Sequence, residues 1–543
     1  MHYTGDESAA NSPCPEFPAF LQNVGRRSFL SGLATFLLVA GEACRTAVQP
    51  DPDFTLVLID QTWIDNALQD WRDQELKQFT KETGIRVKLL PAPEGAEPLA
   101  AWRSFLESGA KIPDVYGLDV IWPGILAENL LDLRALVPAS EIAMHFPELI
   151  ANNTVNGKMV ALPCLIDVGL LYYRTDLLRH YGYRTPPRTW RELETMATQI
   201  QAGERAKGQK DFWGFLWEGA SSESLSCNAL EWQVSEGGGP IIENNSVTVN
   251  NPDTARAWER ALRWVGTISP PGVVSYKEWD AYNIWRAGQA AFMRNWAPPN
   301  SGELVQGSLT KDQFGIASLP GGRARVAATV GGRGYAISRH SLHPREASLL
   351  VRFLCRRDTQ LNRCLKIGKA PTMPELYNDP KILADSYFST ILKTYRQDKV
   401  SRPSTETGRK YPALSRAYFM AVHEVLAGKR PVAAALADLQ NELMQITGME
   451  APAPGARSGR QGRSAIFPVE PPCDKDQKMA KRSEYDVRRN VRRKDGTRDY
   501  WAPRDSRTTQ RHGFSKLLSL WGVEDWAPFA SVFRGHRAFD DSW

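Results

Sequence analysis

Apolar positions along the chain switch between a period near two and a period near 3.6, and the switches lay out the elements. Residues 54–59 form a short, nearly continuous apolar run, the pattern of a strand buried on both faces. Residues 63–83 follow with helical spacing, Gly84 is their stop signal, and 85–90 return to a strand pattern. A second helix is predicted over 100–109, Pro113 breaks the loop after it, and 115–120 read as a third strand. Such β-α-β-α-β order predicts a mostly parallel sheet with helices on both faces. Farther on, Thr189 and Glu192 make a capping box ahead of the periodic run 193–200. Asn251 and Pro252 place a cap and a first-turn proline before 257–265, and His343-Pro344 repeats the device before 347–354. Residues 432–446 are amphipathic with Gly448 as the stop, and beyond it the regularity collapses.

Composition narrows the class. With 543 residues, 42% of them hydrophobic and 24% charged, the chain has ordinary globular proportions. No apolar run approaches the ~20 residues of a helical membrane span, which excludes a polytopic membrane protein. Seven cysteines are too few and too scattered for a disulfide scaffold. Cys355 and Cys364 could pair in an exported protein, but their spacing is not a zinc pattern. The formal charge of +6 is localised: residues 450–543 hold 19 basic and 13 acidic residues, which leaves 48 of each for 1–449. The main body therefore lacks the basic footprint that nucleic acid requires. Residues 449–543 read as a basic tail, and the Pro-, Gly-, Arg- and Lys-rich stretch 450–500 predicts disorder.

The amino end carries an export pattern over 1–51. Arg26-Arg27-Ser28-Phe29-Leu30 leads into an uncharged stretch to Gly41 and then Glu42-Ala43-Cys44, which resembles a twin-arginine signal. Cys44 is a candidate lipidation site, with simple cleavage after Ala43 as the alternative. Residues 1–23 stand ahead of the basic pair at unusual distance and point to Val24 as an alternative start. The expected location is the bacterial cell envelope, periplasmic or lipid-anchored.

A family resemblance enters at residues 153–183. Asn156-Gly157-Lys158-Met159-Val160-Ala161-Leu162-Pro163, followed by Asp167-Val168-Gly169-Leu170-Leu171-Tyr172-Tyr173-Arg174-Thr175-Asp176, resembles the first lobe crossing of ABC-importer extracellular solute-binding proteins. Pro186-Pro187-Arg188-Thr189-Trp190, Gly288-Gln289-Ala290-Ala291-Phe292-Met293-Arg294-Asn295-Trp296 and Gly331-Gly332-Arg333-Gly334-Tyr335 extend it, so that it covers roughly 52–448. The branch it is most similar to binds trehalose or maltose. The resemblance implies an α/β fold of two lobes joined by hinge crossings, 52–166 with 317–355 and 167–316 with 356–448. It also implies a monomeric carrier without cofactor or metal, which closes on a sugar or glycoside and hands it to an ABC permease. A sugar sensor for a membrane receptor is the second non-enzymatic reading.

Positions matching the branch's ligand motifs are Asp119, Asp167, Trp296 and Gly332. Carboxylates suit sugar because they accept hydroxyl protons, and an indole suits it because pyranose faces are apolar. Each has a plainer role open to it: helix cap for Asp119, hinge acceptor for Asp167, core filler for Trp296, turn residue for Gly332. Trp63, Trp122, Trp217 and Glu223 are weaker ligand candidates, the tryptophans being placed in lobe-facing loops. The chain departs from the branch at Leu165, where an aromatic is common, at Arg333, where Trp is, and at Met373, where Arg is. Arg333 thus becomes a candidate charged donor, and a smaller ligand such as a glucosylated polyol becomes as plausible as trehalose or maltose.

Three other chemistries have partial signals in the chain. Hydrolysis of a glycoside needs two carboxylates about 5–9.5 Å apart, which Asp119, Asp167, Glu218 and Glu223 could supply on paper. His340 and His343 form a close pair without an evident third ligand, and Gly237-Gly238-Gly239-Pro240 lacks the Lys-Ser/Thr of a phosphate loop.

Overall fold

A computed structural model of the chain describes residues 54–60, 66–91, 98–296 and 309–452, all within one unit, Met1–Gly462. Arg26-Arg27, Cys44, Trp63 and the basic tail from 453 on lie outside the described residues, whereas Glu450, counted with that tail, pairs with Ser246.

The first apolar runs form β1 (Thr55–Asp60), β2 (Arg86–Pro91) and β3 (Val115–Asp119), with β1 central and parallel to both neighbours. Helix α1 (Asn66–Thr83) connects β1 to β2, and α2 (Pro98–Glu107) precedes β3. Gly84 ends α1 at φ +76°, the left-handed conformation that suits glycine. So far the order is that of a doubly wound sheet.

The chain then departs from the mostly parallel sheet that alternation predicts. β4 (Leu162–Val168) belongs to this first sheet, whereas β5 (Leu170–Arg174) belongs to a second one, and only Gly169 separates them. The second sheet has the order β8-β5-β7-β6, from β6 (Trp213–Leu216), β7 (Ala290–Asn295) and β8 (Phe314–Ser318). Its β5 is antiparallel to both neighbours, and β6 is parallel to β7. The long β9 (Ala328–Ile337) then returns to the first sheet, antiparallel to β3 and to β4, and its first residues pair in parallel with β10 (Lys399–Val400). A strand that arrives from the other sheet needs no helical crossover, so it can enter antiparallel. Both sheets are therefore mixed.

Helices α3 (Trp190–Ala206), α4 (Glu223–Glu236), α5 (Pro252–Trp264), α6 (Glu278–Arg286), α7 (Pro344–Cys355), α8 (Arg357–Ile367), α9 (Tyr411–Leu426) and α10 (Val432–Thr447) cover the sheets. Their starts obey local chemistry. The Thr189 hydroxyl accepts from the Glu192 N–H at 3.2 Å, and Asn251 accepts from the N–H groups of Asp253 and Thr254. Much of the largest core is indole: Trp190, Trp217, Trp232, Trp258 and Trp264 are all buried, and Trp217 meets Trp232 edge-on at 5.1 Å. Cys355 and Cys364, which could have paired, are free thiols buried in different apolar clusters.

Candidate ligand-binding site

β1 and β3 run parallel and end at one edge of the first sheet, where they deliver Asp60 and Asp119. Open α/β sheets bind ligands at this carboxyl edge. The Asp60 carboxylate lies over Gly117, where a Cβ would stand 2.2 Å from Oδ1, so only glycine leaves room for it. Asp60 is buried and accepts from Arg72 Nη2 at 2.9 Å, Tyr335 OH at 3.0 Å and Arg333 Nη1 at 3.4 Å. Arg333 thus leans on Asp60, and in the ladder it stands opposite Asp119.

Asp119 is half-buried and accepts from the Ile121 N–H at 3.2 Å, so part of its capacity caps the backbone that follows. Burial pushes its carboxyl above the usual range; Arg402 draws it back, with smaller help from the Ile121 N–H and Arg333, while Glu223 opposes them. Arg402 bridges to the start of α4: Nη1 donates to Glu223 Oε1 at 2.8 Å, and Nη2 donates to the Val330 carbonyl at 3.0 Å. Glu223 also accepts from Tyr411 OH at 2.5 Å and Ser415 Oγ at 2.6 Å.

Asp167, near the end of β4, faces Gly331 of β9 and accepts from the Val168 N–H at 2.9 Å. Trp296 follows β7 directly, and its ring lies against the same glycine. A Cβ on Gly331 would come within 3.0 Å of the indole Cζ3 and 3.2 Å of the Asp167 Cβ. The indole N–H donates to Glu278 Oε1 at 3.0 Å, and that carboxylate also accepts from Ser224 Oγ at 2.9 Å. The Tyr172 hydroxyl holds the Trp296 carbonyl at 2.8 Å. Asp119, Arg402, Glu223, the Ser224–Glu278 pair, Trp296, Gly331 and Asp167 are thus linked into one constellation drawn from both sheets.

Beneath the indole lies a dry ionic network. The Arg294 guanidinium is fully buried, donates twice to Glu231 at 2.9 and 2.6 Å and once to Glu218 at 3.0 Å, and sits 4.4 Å from the Trp296 ring centre. Burial, only partly offset by Arg294, pushes the Glu218 carboxyl up to about 7.

The sequence candidates fare unequally. Asp119, Asp167, Trp296, Arg333 and Glu223 come together in this region. Gly332 adjoins it at φ +139°, but the backbone that its missing Cβ admits is the Leu165 carbonyl, 2.5 Å from that position. Gly331 is the one that clears space beside the indole. Trp122 and Trp217 are corrected: Trp122 is buried edge-on against Trp102 at 5.8 Å, and Trp217 is fully enclosed and bonded to Ser269 Oγ at 3.0 Å. Both thus lie in the core rather than in lobe-facing loops. Nor do Glu218 and Glu223 suit hydrolysis, since Glu218 is sealed against Arg294 and Glu223 already holds three donors. His343 stacks on Phe54 at 4.4 Å, and among the described residues no His, Cys, Asp and Glu group is arranged to hold a metal.

Asp60, Glu278, Arg294 and Arg402 escaped the sequence reading. Arg294 alone left a signal, a charge inside a strand whose other inward and outward positions are apolar or amide.

Comparison with known proteins agrees with the architecture. Residues 74–390 match the family described as "Bacterial extracellular solute-binding protein". A "Probable ABC transporter-binding protein" of Deinococcus radiodurans is 41% identical over 374 residues, 68% of this chain and 89% of that protein. The maltose-bound MalE3 structure of T. maritima is 32% identical with a TM-score of 0.66, covering 72% of this chain and all of that one. The GacH receptor of Streptomyces glaucescens, solved with acarbose, shares the fold at 21% identity and TM-score 0.64, covering 73% of this chain and all of that one. With two mixed sheets joined by single-strand crossings, and carboxylates gathered with an indole where they meet, the chain belongs to the bacterial extracellular solute-binding proteins.

Proposed function

We propose that the chain is the sugar-capturing component of an ABC importer, which closes two lobes on a neutral glycoside and passes it unaltered to a membrane permease. The lobes are 52–166 with 317–355 and 167–316 with 356–448. The observation that carries the reading is the meeting of Asp167 and the Trp296 ring at Gly331, with Asp119 two ladder positions along β9, opposite Arg333. Carboxylates accept from ligand hydroxyls, the indole takes a sugar face, and the charged pairs Arg333–Asp60 and Arg402–Glu223 fix the rim. A disaccharide or a glucosylated polyol fits this mixture. The protein acts as an exported monomer, and Cys44 is its candidate lipid anchor.

Thermal unfolding of the full chain with maltose, trehalose and glucosylglycerol is the direct test. A ligand at a hundred times its Kd stabilises by about 2.7 kcal/mol and raises the melting point. Asp119→Asn and Asp167→Asn are each expected to weaken binding by about 1.5–3 kcal/mol, the range of hydrogen bonds to charged groups. Parental affinity in both variants would remove these carboxylates from the site. Chromatography of the incubated sugars is expected to return them intact; released monosaccharide would favour hydrolysis.

A further inference from the structure

We propose that Arg294 is a positioning residue for the ligand platform: clamped by Glu218 and Glu231, it holds the plane of the Trp296 ring against which a sugar packs. This rests on the carrier reading and on Trp296 as its platform.

The clamp has more parts than a buried cation needs. Arg294 lies near the end of β7, Glu218 follows β6, Glu231 lies in α4 and Thr329 lies in β9, so three elements around the second sheet and one strand of the first converge on one guanidinium. Glu231 Oε1 also accepts from the Thr329 N–H at 3.0 Å and its hydroxyl at 2.6 Å. Gly169, the single residue between the sheets, leaves the space: a Cβ there would stand 2.2 Å from Glu231 Oε1 and 2.7 Å from Arg294 Nη2. Desolvation largely cancels the attraction in such a network, so its net stabilisation is small. What a planar fork held at fixed donors does supply is orientation. The guanidinium carbon so fixed lies over the indole, 4.4 Å from its ring centre, close enough for cation–π attraction in a buried site. Glu278 holds the indole N–H and Tyr172 holds the Trp296 backbone carbonyl, so Arg294 supplies the restraint on the ring face that those contacts lack. Because Thr329 and Gly169 lie where the chain passes between sheets, the same clamp ties the ring to those crossings.

A double-mutant cycle separates positioning from plain stability. Calorimetric titration of the full chain with maltose, trehalose and glucosylglycerol is the readout, and thermal unfolding reports stability separately. Arg294→Lys keeps the charge that Glu218 and Glu231 need and loses the planar fork. Affinity is expected to fall about three- to tenfold in the parent background, the range of an aromatic face contact, and to stay unchanged in a Trp296→Ala background. Glu231→Gln, which opens the clamp from its other side, is expected to behave alike. Equal losses in both backgrounds, or no loss in the parent, overturn the inference and leave the carrier reading intact. Parental affinity in Trp296→Ala removes the platform and the inference with it, whereas a parent that binds none of the three probes overturns the carrier reading itself.

Discussion

Gly331 and Gly332 are neighbours in sequence, yet the space each leaves open serves a different partner. At Gly332 the partner is backbone, and φ is +139°, so an added Cβ meets both strain and the Leu165 carbonyl. Gly332→Ala is expected to lower stability by about 1–3 kcal/mol, read from chemical denaturation. At Gly331 the neighbours are the Trp296 ring edge and the Asp167 Cβ at 3.0 and 3.2 Å. Gly331→Ala is therefore expected to disturb ligand affinity more than stability, and the reverse ranking would place the ligand elsewhere. Glu218 offers a second test. Its value in the folded protein, about 7, lies above the ordinary 4.5, so the folded state holds its proton more tightly. That contribution is fully present below about 4.5 and is lost as pH rises through about 7. The stability advantage of the parent over Glu218→Gln is thus expected to shrink across that window. An advantage that stays constant across that window would mean that Arg294 keeps Glu218 ionised throughout.

Elements repeat this division between local and distant causes. Helix starts are local: Asn251 and Pro252 dictate the start of α5 whatever packs on it, and the Asn251 side chain caps two N–H groups. Asn251→Ala is expected to cost about 1 kcal/mol without touching ligand affinity, and a change in affinity would show that α5 communicates with the site. Strand partners are not local. Residues 85–90 read as a strand and pair as Arg86–Pro91, but nothing in the apolar run of β9 says that it enters the first sheet antiparallel. The tryptophans divide likewise. Trp122, Trp217 and Trp296 are equally apolar in sequence, and only packing sends two into the core and leaves the third beside Gly331.

For the molecule as a whole, the decisive feature is that β4 and β5 lie in different sheets with one residue between them, while β8 and β9 make the opposite passage over residues 319–327. Short crossings of this kind suit hinge closure. Small-angle scattering of the full chain is expected to give a smaller radius of gyration with bound glycoside than without. An unchanged radius alongside a calorimetrically proven ligand would argue for a preformed site. The sequence by itself determined the α/β alternation, the starts of α3, α5 and α7 and the family resemblance, because periodicity, caps and stop glycines act over a few residues. Motifs that stand whole in the chain also singled out Asp119, Asp167 and Trp296 as candidates. Tertiary structure alone decided the mixed sheets and the partners of Asp60, Glu278 and Arg402. It alone gave Arg294 its partners Glu218 and Glu231. Apart from the Arg294–Trp296 contact, two residues apart on one strand face, those contacts join residues from a dozen to hundreds of positions apart, where packing and charge pairing select the partner.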